Sequence, residues 1–373
     1  MPWRRRVRWV WRAVLLAAAG LAVLGTVDTG LLADWRIRLH TLVKLEASAS
    51  PDLLRVDGLT LSIAGSRVKE ARPEGIVLRA WAPDPVIRVV EPGDRGPITL
   101  KIENLPRRLR LEASGPVEEA RADLVRTLRF SPRLTRRLSF AVPDREVTFA
   151  VLGDTGDDPT FSQALRVAAA DGADFLIHAG DLIYEDVQMP RIERILADAP
   201  LPVFVVRGNH DYRNRARIDF MRDLGPPYYS FRMGGASFIV LDNADDYLPW
   251  LWRLSSQYRW WTSALGEPRS GPLFVAMHKP VFDRRGGHSH AGMGDRAFGQ
   301  QLLSDFTRAG VDAVFTGHVH ETHLWVENGI PFVVNGEGYQ SRTGTARHRM
   351  GWVRVRGWEV QIEQVPIWRP GRP

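Results

Sequence analysis

The chain has 373 residues, 44% hydrophobic and 25% charged, a size and balance that allow a large buried core and two domains. It has no cysteine, which excludes disulfides, thiolate metal sites and cysteine nucleophiles together. The formal charge is +7, but Arg4, Arg5, Arg6, Arg8 and Arg12 carry five of those charges ahead of the first acid, so no basic stripe for nucleic acid runs through the remainder.

Those arginines precede "AVLLAAAGLAVLGTV", residues 13–27, an apolar segment without charge. Fifteen helical residues rise about 22 Å, short of a bilayer core of roughly 30 Å, and Trp9 and Trp11 extend the segment into the interface. No small-x-small cleavage site follows. Residues 1–27 are therefore expected to be a signal anchor rather than a cleaved signal peptide, with the rest of the chain in the cell envelope or secreted. Residues 28–145 hold short strand-like runs broken by Pro and Gly, such as "LLRVDGLTLSIAG" and "PITLKIENLPRRLRLEAS". They are expected to form a β-rich accessory domain that acts as a spacer or docking module.

From residue 146 the pattern alternates between apolar strands and helical spacing. "VTFAVLG", "ADFLIHAG", "LPVFVVRG", "ASFIVLD", "PLFVAMH" and "VDAVFTGH" read as strands buried on both faces. "FSQALRVAAADG", "QMPRIERILAD", "QYRWWTSAL" and "GQQLLSDFTRAG" read as helices. The last four strand-like runs, from "HLWVENG" to "WEVQIEQV", are expected to make a second sheet, so that two sheets lie between helices in residues 146–373.

Chemistry collects at the strand ends. Asp154, Asp181 with Tyr184, Asn209 with His210, His278, and His318 with His320 each follow an apolar run, and Gly153, Gly180, Gly208 and Gly317 precede four of these groups. Ligands of α/β folds sit beyond the carboxyl ends of strands, and a residue without Cβ permits a tight exit there. Each residue alone has a structural reading: Asp154 as a helix cap, Asn209 as a turn residue, His278 as a core histidine, Tyr184 as packing. Their joint placement instead points to a metal site of mixed carboxylate, amide and imidazole donors, suited to Zn, Fe or Mn. His323, just beyond the last of them, is read as structural.

The blocks are GDTG (153–156), GDLIY (180–184), GNHD (208–211), VAMH (275–278) and GHVH (317–320). In this order they resemble the calcineurin-like metallophosphoesterases, and within them the purple acid phosphatase branch. The resemblance covers residues 146–365 and implies a four-layer α/β/β/α sandwich. It implies one metal on Asp154, Asp181, Tyr184 and His320, and a second on Asp181, Asn209, His278 and His318. Most other branches place a His where this chain has Gly156; the resemblance implies that Tyr184 takes that position as a phenolate on Fe(III), beside Fe(II), Zn(II) or Mn(II). The implied reaction is hydrolysis of phosphate monoesters by metal-bound hydroxide, with His210 on the substrate side. "HKPVFDRRGGHSHAG" adds His288 as a further catalytic candidate, and His290, Arg284 and Arg285 as substrate contacts. A phosphodiesterase of nucleotides, phospholipid head groups or envelope polymers, and a non-catalytic envelope protein keeping the fold, are the alternative readings. The sequence gives no signal for oligomeric state.

Overall fold

The computed structural model describes residues 52–94, 96–143, 146–244, 256–285, 292–293, 296–338 and 348–368. The apolar segment at 13–27 lies outside them, as do His288 and His290. Among the described residues, no helix is long and apolar enough to cross a membrane.

The amino-terminal part is all strand. It comprises β1 (Asp52–Val56), β2 (Leu59–Ala64), β3 (Ser66–Arg72), β4 (Gly75–Ala80), β5 (Val86–Pro92), β6 (Ile98–Glu103), β7 (Arg110–Ala113), β8 (Val117–Ala122), β9 (Val125–Phe130) and β10 (Arg137–Ala141). These form two five-stranded sheets, β1-β2-β5-β10-β7 and β3-β4-β6-β9-β8. Alternation does the sorting: Leu59, Leu61 and Ile63 from one sheet and Ile98, Leu100 and Ile102 from the other share one core. The β1–β2 hairpin closes on Asp57-Gly58, both at positive φ (48° and 74°), as a tight two-residue turn requires.

This unit is stitched to the carboxyl-terminal part. Asn104 donates from Nδ2 to the carbonyls of Ala80 (2.7 Å) and Val203 (3.0 Å), and its Oδ1 accepts from the Val203 amide (2.9 Å). Trp81 packs edge-on against Tyr229, centroids 5.0 Å apart, inside the neighbouring core.

The carboxyl-terminal part alternates strands and helices. In order they are β11 (Val147–Leu152), α1 (Pro159–Ala170), β12 (Phe175–His178), α2 (Met189–Ala197), β13 (Val203–Val205), α3 (Asn214–Asp219) running into a π-helical turn at Phe220–Leu224, β14 (Tyr229–Met233) and β15 (Ala236–Val240). They continue with α4 (Ser256–Leu265), β16 (Leu273–Ala276), α5 (Arg296–Ala309), β17 (Ala313–Thr316), β18 (Thr322–Glu327), β19 (Ile330–Asn335), β20 (Arg349–Arg356) and β21 (Glu359–Pro366). The sheets are β13-β12-β11-β20-β21 and β14-β15-β16-β17-β19-β18. Phe149 stacks on Phe175 at 5.2 Å and meets Phe238, Phe274 and Phe315 of the other sheet edge-on at 5.2, 5.6 and 5.5 Å. Ala164, Leu165, Ala168 and Ile192 of α1 and α2 pack with Ala150, Leu152 and Leu176 of the first sheet, and Trp261, Leu302 and Phe306 of α4 and α5 pack with Ile239, Val275 and Val314 of the second. Helix α1 begins where the sequence dictates: the Asp158 carboxylate accepts from the Thr160 amide (2.8 Å) and Pro159 occupies the first turn.

One expectation is corrected. The last four strands do not form a sheet together. The β18–β19 hairpin extends the second sheet beside β17, while β20 returns antiparallel to β11 and β21 edges the first. The reason lies in β20 itself. Met350 and Trp352 enter the helix-side core while Val353 and Val355 enter the core between the sheets, so the strand needs cover on both faces.

Candidate metal centre

Strands β11, β12 and β13 are parallel, as are β16 and β17, and the residues at their carboxyl ends converge. Eight described residues other than glycine have positive φ, and four lie here: Asp154 (59°), Asp181 (57°), His318 (68°) and His320 (57°). The other four are all Asp or Asn, the types that tolerate this region; His318 and His320 are neither. Such backbone persists only where surroundings impose it, and it clusters at functional sites. The glycines make the convergence possible. A Cβ on Gly180 would stand 2.5 Å from His278 Nδ1, and one on Gly317 would collide with the Asp154 carboxylate.

Two groups of potential ligand atoms result: Asp181, His278 and His318, and Asp154, Asp181 and His320, each with donor atoms within 4.8 Å of one another. Asp181 belongs to both. Asn209 Oδ1 lies 3.0 Å from His278 Nε2 and extends the first group; the Tyr184 hydroxyl lies 3.4 Å from His320 Nε2 and extends the second. All seven ligand candidates from the sequence are thus brought together. His278 Nε2 approaches Asp181 Oδ1 to 3.4 Å, and His320 Nε2 approaches Asp154 Oδ1 to 3.4 Å. Bonds of about 2.0–2.2 Å from an ion to nitrogen and oxygen set neighbouring donors at about this separation. Asp154 Oδ1 is buried without a hydrogen bond. A carboxylate oxygen in the interior with only the His320 ring 3.4 Å away is costly to bury, and a cation would satisfy it.

Packing also joins Gly156 to Tyr184. Gly156 has φ +52°, and a Cβ there would stand 3.0 Å from Tyr184 Cδ2. A side chain at 156 and the tyrosine ring where it now lies compete for the same space.

The protonation pattern is that of a cluster holding protons between anions. Burial alone would depress His278, yet Asp181 beside it raises its pKa to about 9. Burial works against ionisation of Asp181 too, but the His278 ring and the His210 amide hold its carboxyl well below the usual range. Burial raises Asp154, whereas burial and the neighbouring His278 lower His318 to about 2. A cation held here would take the place of the His278 proton, because a ligating imidazole must be neutral.

A supporting layer sets ligand orientation. His278 Nδ1 donates to the Ala179 carbonyl (2.8 Å), which turns Nε2 to the cluster. Asp211 accepts from the amides of Asp181 (2.8 Å), Ile183 (2.7 Å) and Gly208 (2.8 Å), binding two ligand loops together. Asn243 Oδ1 accepts from the amides of His278 and Lys279, both at 3.0 Å. Gln188 Oε1 accepts from the Tyr184 amide (2.7 Å), and its Nε2 donates to Asp157 (2.7 Å). Sequence reading missed Asn243 and Gln188. Asn243 had a signal, since it too stands just past an apolar strand, β15; Gln188 had none.

The remaining candidates divide. His210 sits at the cluster, its Nε2 4.0 Å from Asp181 Oδ2 and its ring centroid 4.4 Å from that of Tyr184. Arg284 does not present a free guanidinium: it is held by Glu327. Arg285 is held by Asp283 (2.9 Å) and Glu321 (2.9 Å), and its Nη1 lies 3.5 Å from the carbonyl of Val319, between His318 and His320. These contacts make it a brace behind that loop. His323 pairs with Glu321 (2.7 Å) and belongs to neither donor group.

With this geometry, residues 147–322 match the family model for calcineurin-like phosphoesterases. Over that stretch the chain is similar to the calcineurin-like phosphoesterases. Among curated proteins it is similar to purple acid phosphatase 18 of Arabidopsis thaliana, 30% identical over 200 residues, 47% of this chain and 44% of that protein. It is also similar to serine/threonine-protein phosphatase CPPED1 of Rattus norvegicus, 29% identical over 170 residues, 39% of this chain and 53% of that protein. The chain thus spans about half the length of the curated relatives it matches. The purple acid phosphatase PPD1 from yellow lupin seeds shares the fold, with a TM-score of 0.50 and 14% identity, over 82% of this chain and 72% of that one. The match to the phosphoesterase family model starts at Val147, so β1–β10 lie outside the matched region.

Proposed function

We propose that this protein is a binuclear metal-dependent phosphoesterase that hydrolyses phosphate monoesters. The observation that carries the reading is the sharing of Asp181 between two donor groups, one completed by Asn209 and the other by Tyr184. The phosphatase names of the curated relatives support the monoester class. Two cations in such a site supply Lewis-acid charge to the phosphoryl oxygens and make water a nucleophile near neutral pH. The residues divide the work. Asp181 lies between the two donor groups, and the phenol and carboxylates of the Tyr184 side offer hard anionic donors that favour Fe(III). Asn209 and the imidazoles on the other side suit Fe(II), Zn(II) or Mn(II). His210, whose pKa is lowered by burial, stands where it can give a hydrogen bond to the substrate or leaving oxygen. The facing sheets with helices on their outer faces support a four-layer sandwich; residues 28–145, which include β1–β10, are read as an accessory domain, and the arginine-then-apolar pattern of residues 1–27 supports an envelope anchor.

The test is metal analysis of the purified chain with paired assays on p-nitrophenyl phosphate and its diester. Two tightly held ions with preferential monoester turnover is the expected result; turnover of the diester alone overturns the monoester class. The iron assignment has its own readout. A phenolate on Fe(III) absorbs in the visible, so Tyr184→Phe should bleach the colour while keeping ring packing and thermal stability. Colourless active protein with two divalent ions would remove the ferric assignment and leave Tyr184 as a wall of the site.

A further inference from the structure

Arg213 lies three residues beyond His210 and precedes the first turn of α3. Its neighbours on that segment are occupied. Arg215 and Arg222 reach Asp219 at 3.3 and 3.0 Å, and Arg217 lies over the Tyr212 ring at 5.3 Å. Arg213 is exposed and makes no ion pair with any described residue. Its Nη1 lies 3.4 Å from His210 Nδ1. The opposite nitrogen of that ring, Nε2, is the one 4.0 Å from Asp181 Oδ2. Carboxylate, imidazole and guanidinium therefore succeed one another outward from the candidate metal centre. The guanidinium sits one ring width beyond the groups that would hold a reacting phosphoryl, on the side where His210, in the proposed function, would face the leaving oxygen.

A cation in that place would do little for the phosphoryl group being cleaved, whose charge the two metal ions of the proposed centre would neutralise. It is within reach of whatever the alcohol part carries a few bonds further on. Guanidinium pairs with phosphate and carboxylate in bidentate fashion, and its fork is preorganised for both. We propose that Arg213 forms a subsite for a second anionic group on the alcohol part of the substrate, so that small phosphomonoesters bearing a further phosphate or carboxylate are preferred. This rests on the phosphoesterase reading and narrows its substrate class.

The experiment compares matched pairs: phosphoglycerate against glycerol phosphate, and fructose bisphosphate against fructose monophosphate. In the wild-type chain the anionic member of each pair should have the higher kcat/KM, by roughly tenfold, with the ratio shrinking as salt is added. Arg213→Ala should bring the ratio close to one, Arg213→Lys should keep most of it, and Arg213→Glu should reverse it. A ratio that survives Arg213→Ala, or variants that slow both members of each pair equally, would overturn the subsite and leave the phosphoesterase standing. The second case is what a role confined to holding His210 would give. Calorimetric binding of fructose bisphosphate and monophosphate separates the two ideas in the other direction. Arg213-dependent preference in binding without any turnover keeps the subsite and removes the phosphoesterase reading; equal binding overturns the subsite.

Discussion

Asp181→Asn should strip both metal ions from the purified protein and lower turnover of phosphate monoesters by at least about a thousandfold, while the fold persists. The substitution is nearly isosteric. The side-chain oxygen can still accept the His210 amide, which now donates to Asp181 Oδ1 at 2.8 Å. What disappears is the charge between the two donor groups, and with it the anion that faces His278 at 3.4 Å. Each group would keep a metal position with one ligand neutralised, and the bridge would no longer compensate two cations at close range. His278→Ala is the informative contrast, because His278 belongs to one group only. Its metal content should fall from about two ions per chain to about one. Elemental analysis after dialysis reads both variants, and circular dichroism checks the fold. Two ions retained in Asp181→Asn would show that the carboxylate is not the bridge. Equal losses in the two variants would remove the division into two groups.

What the sequence makes legible here is local. Asp154, Asp181, Asn209, His278 and His318 could be placed because each stands just beyond a buried apolar strand, often after a glycine, and that pattern needs no knowledge of the partner strand. The same reasoning fails where a residue's role depends on what another part of the chain brings to it. Arg284 and Arg285 read as substrate contacts beside the site, yet Glu327 and Glu321, some forty residues on, engage them. Gln188 reads as a polar residue ahead of a helix, and only the fold sets it between Asp157 and the Tyr184 amide. Sheet membership of the last four strands failed for a related reason. Their alternation marks them as strands, but β20 next to β11 results from cover on both faces, a property of the assembled core. The accessory strands are legible as strands, and their pairing order is not. It includes a parallel β4–β6 pair among antiparallel neighbours, which no turn between adjacent strands encodes.

Among the described glycines, Gly208 is the one where an added methyl group should do the most damage. A Cβ at 208 would collide with the Asp181 amide nitrogen and carboxylate, and would stand 2.9 Å from its Cα. Backbone strain is not the cause, because Gly208 is absent from the positive-φ residues. The cause is that two ligand loops cross here glycine against glycine: a Cβ on Gly180 would in turn meet Gly208 Cα at 2.9 Å. Asp211 closes the same crossing by accepting from Gly208 and Asp181 at 2.8 Å each. The Asp181 amide nitrogen and Cα are backbone and cannot turn aside as a side chain can, so the loops themselves must part. Parting them moves Asn209 away from His278 and loosens Asp211, which is left with unpaired oxygens in a buried site. Overpacking that forces backbone to shift costs about 1–3 kcal/mol, and a clash with backbone on both loops puts this one at the upper end. Gly357→Ala is the control. Gly357 has φ +60° and nothing within 4 Å of a Cβ, so that variant carries backbone strain alone, about 1 kcal/mol. Thermal melts and metal analysis of the two proteins should therefore diverge, with Gly208→Ala losing both stability and the ion beside Asn209 and Gly357→Ala losing only a little stability. A Gly208→Ala protein that melts like the control and holds two ions would mean that the loops do not cross at contact distance, and the geometry on which the shared Asp181 depends would have to be redrawn.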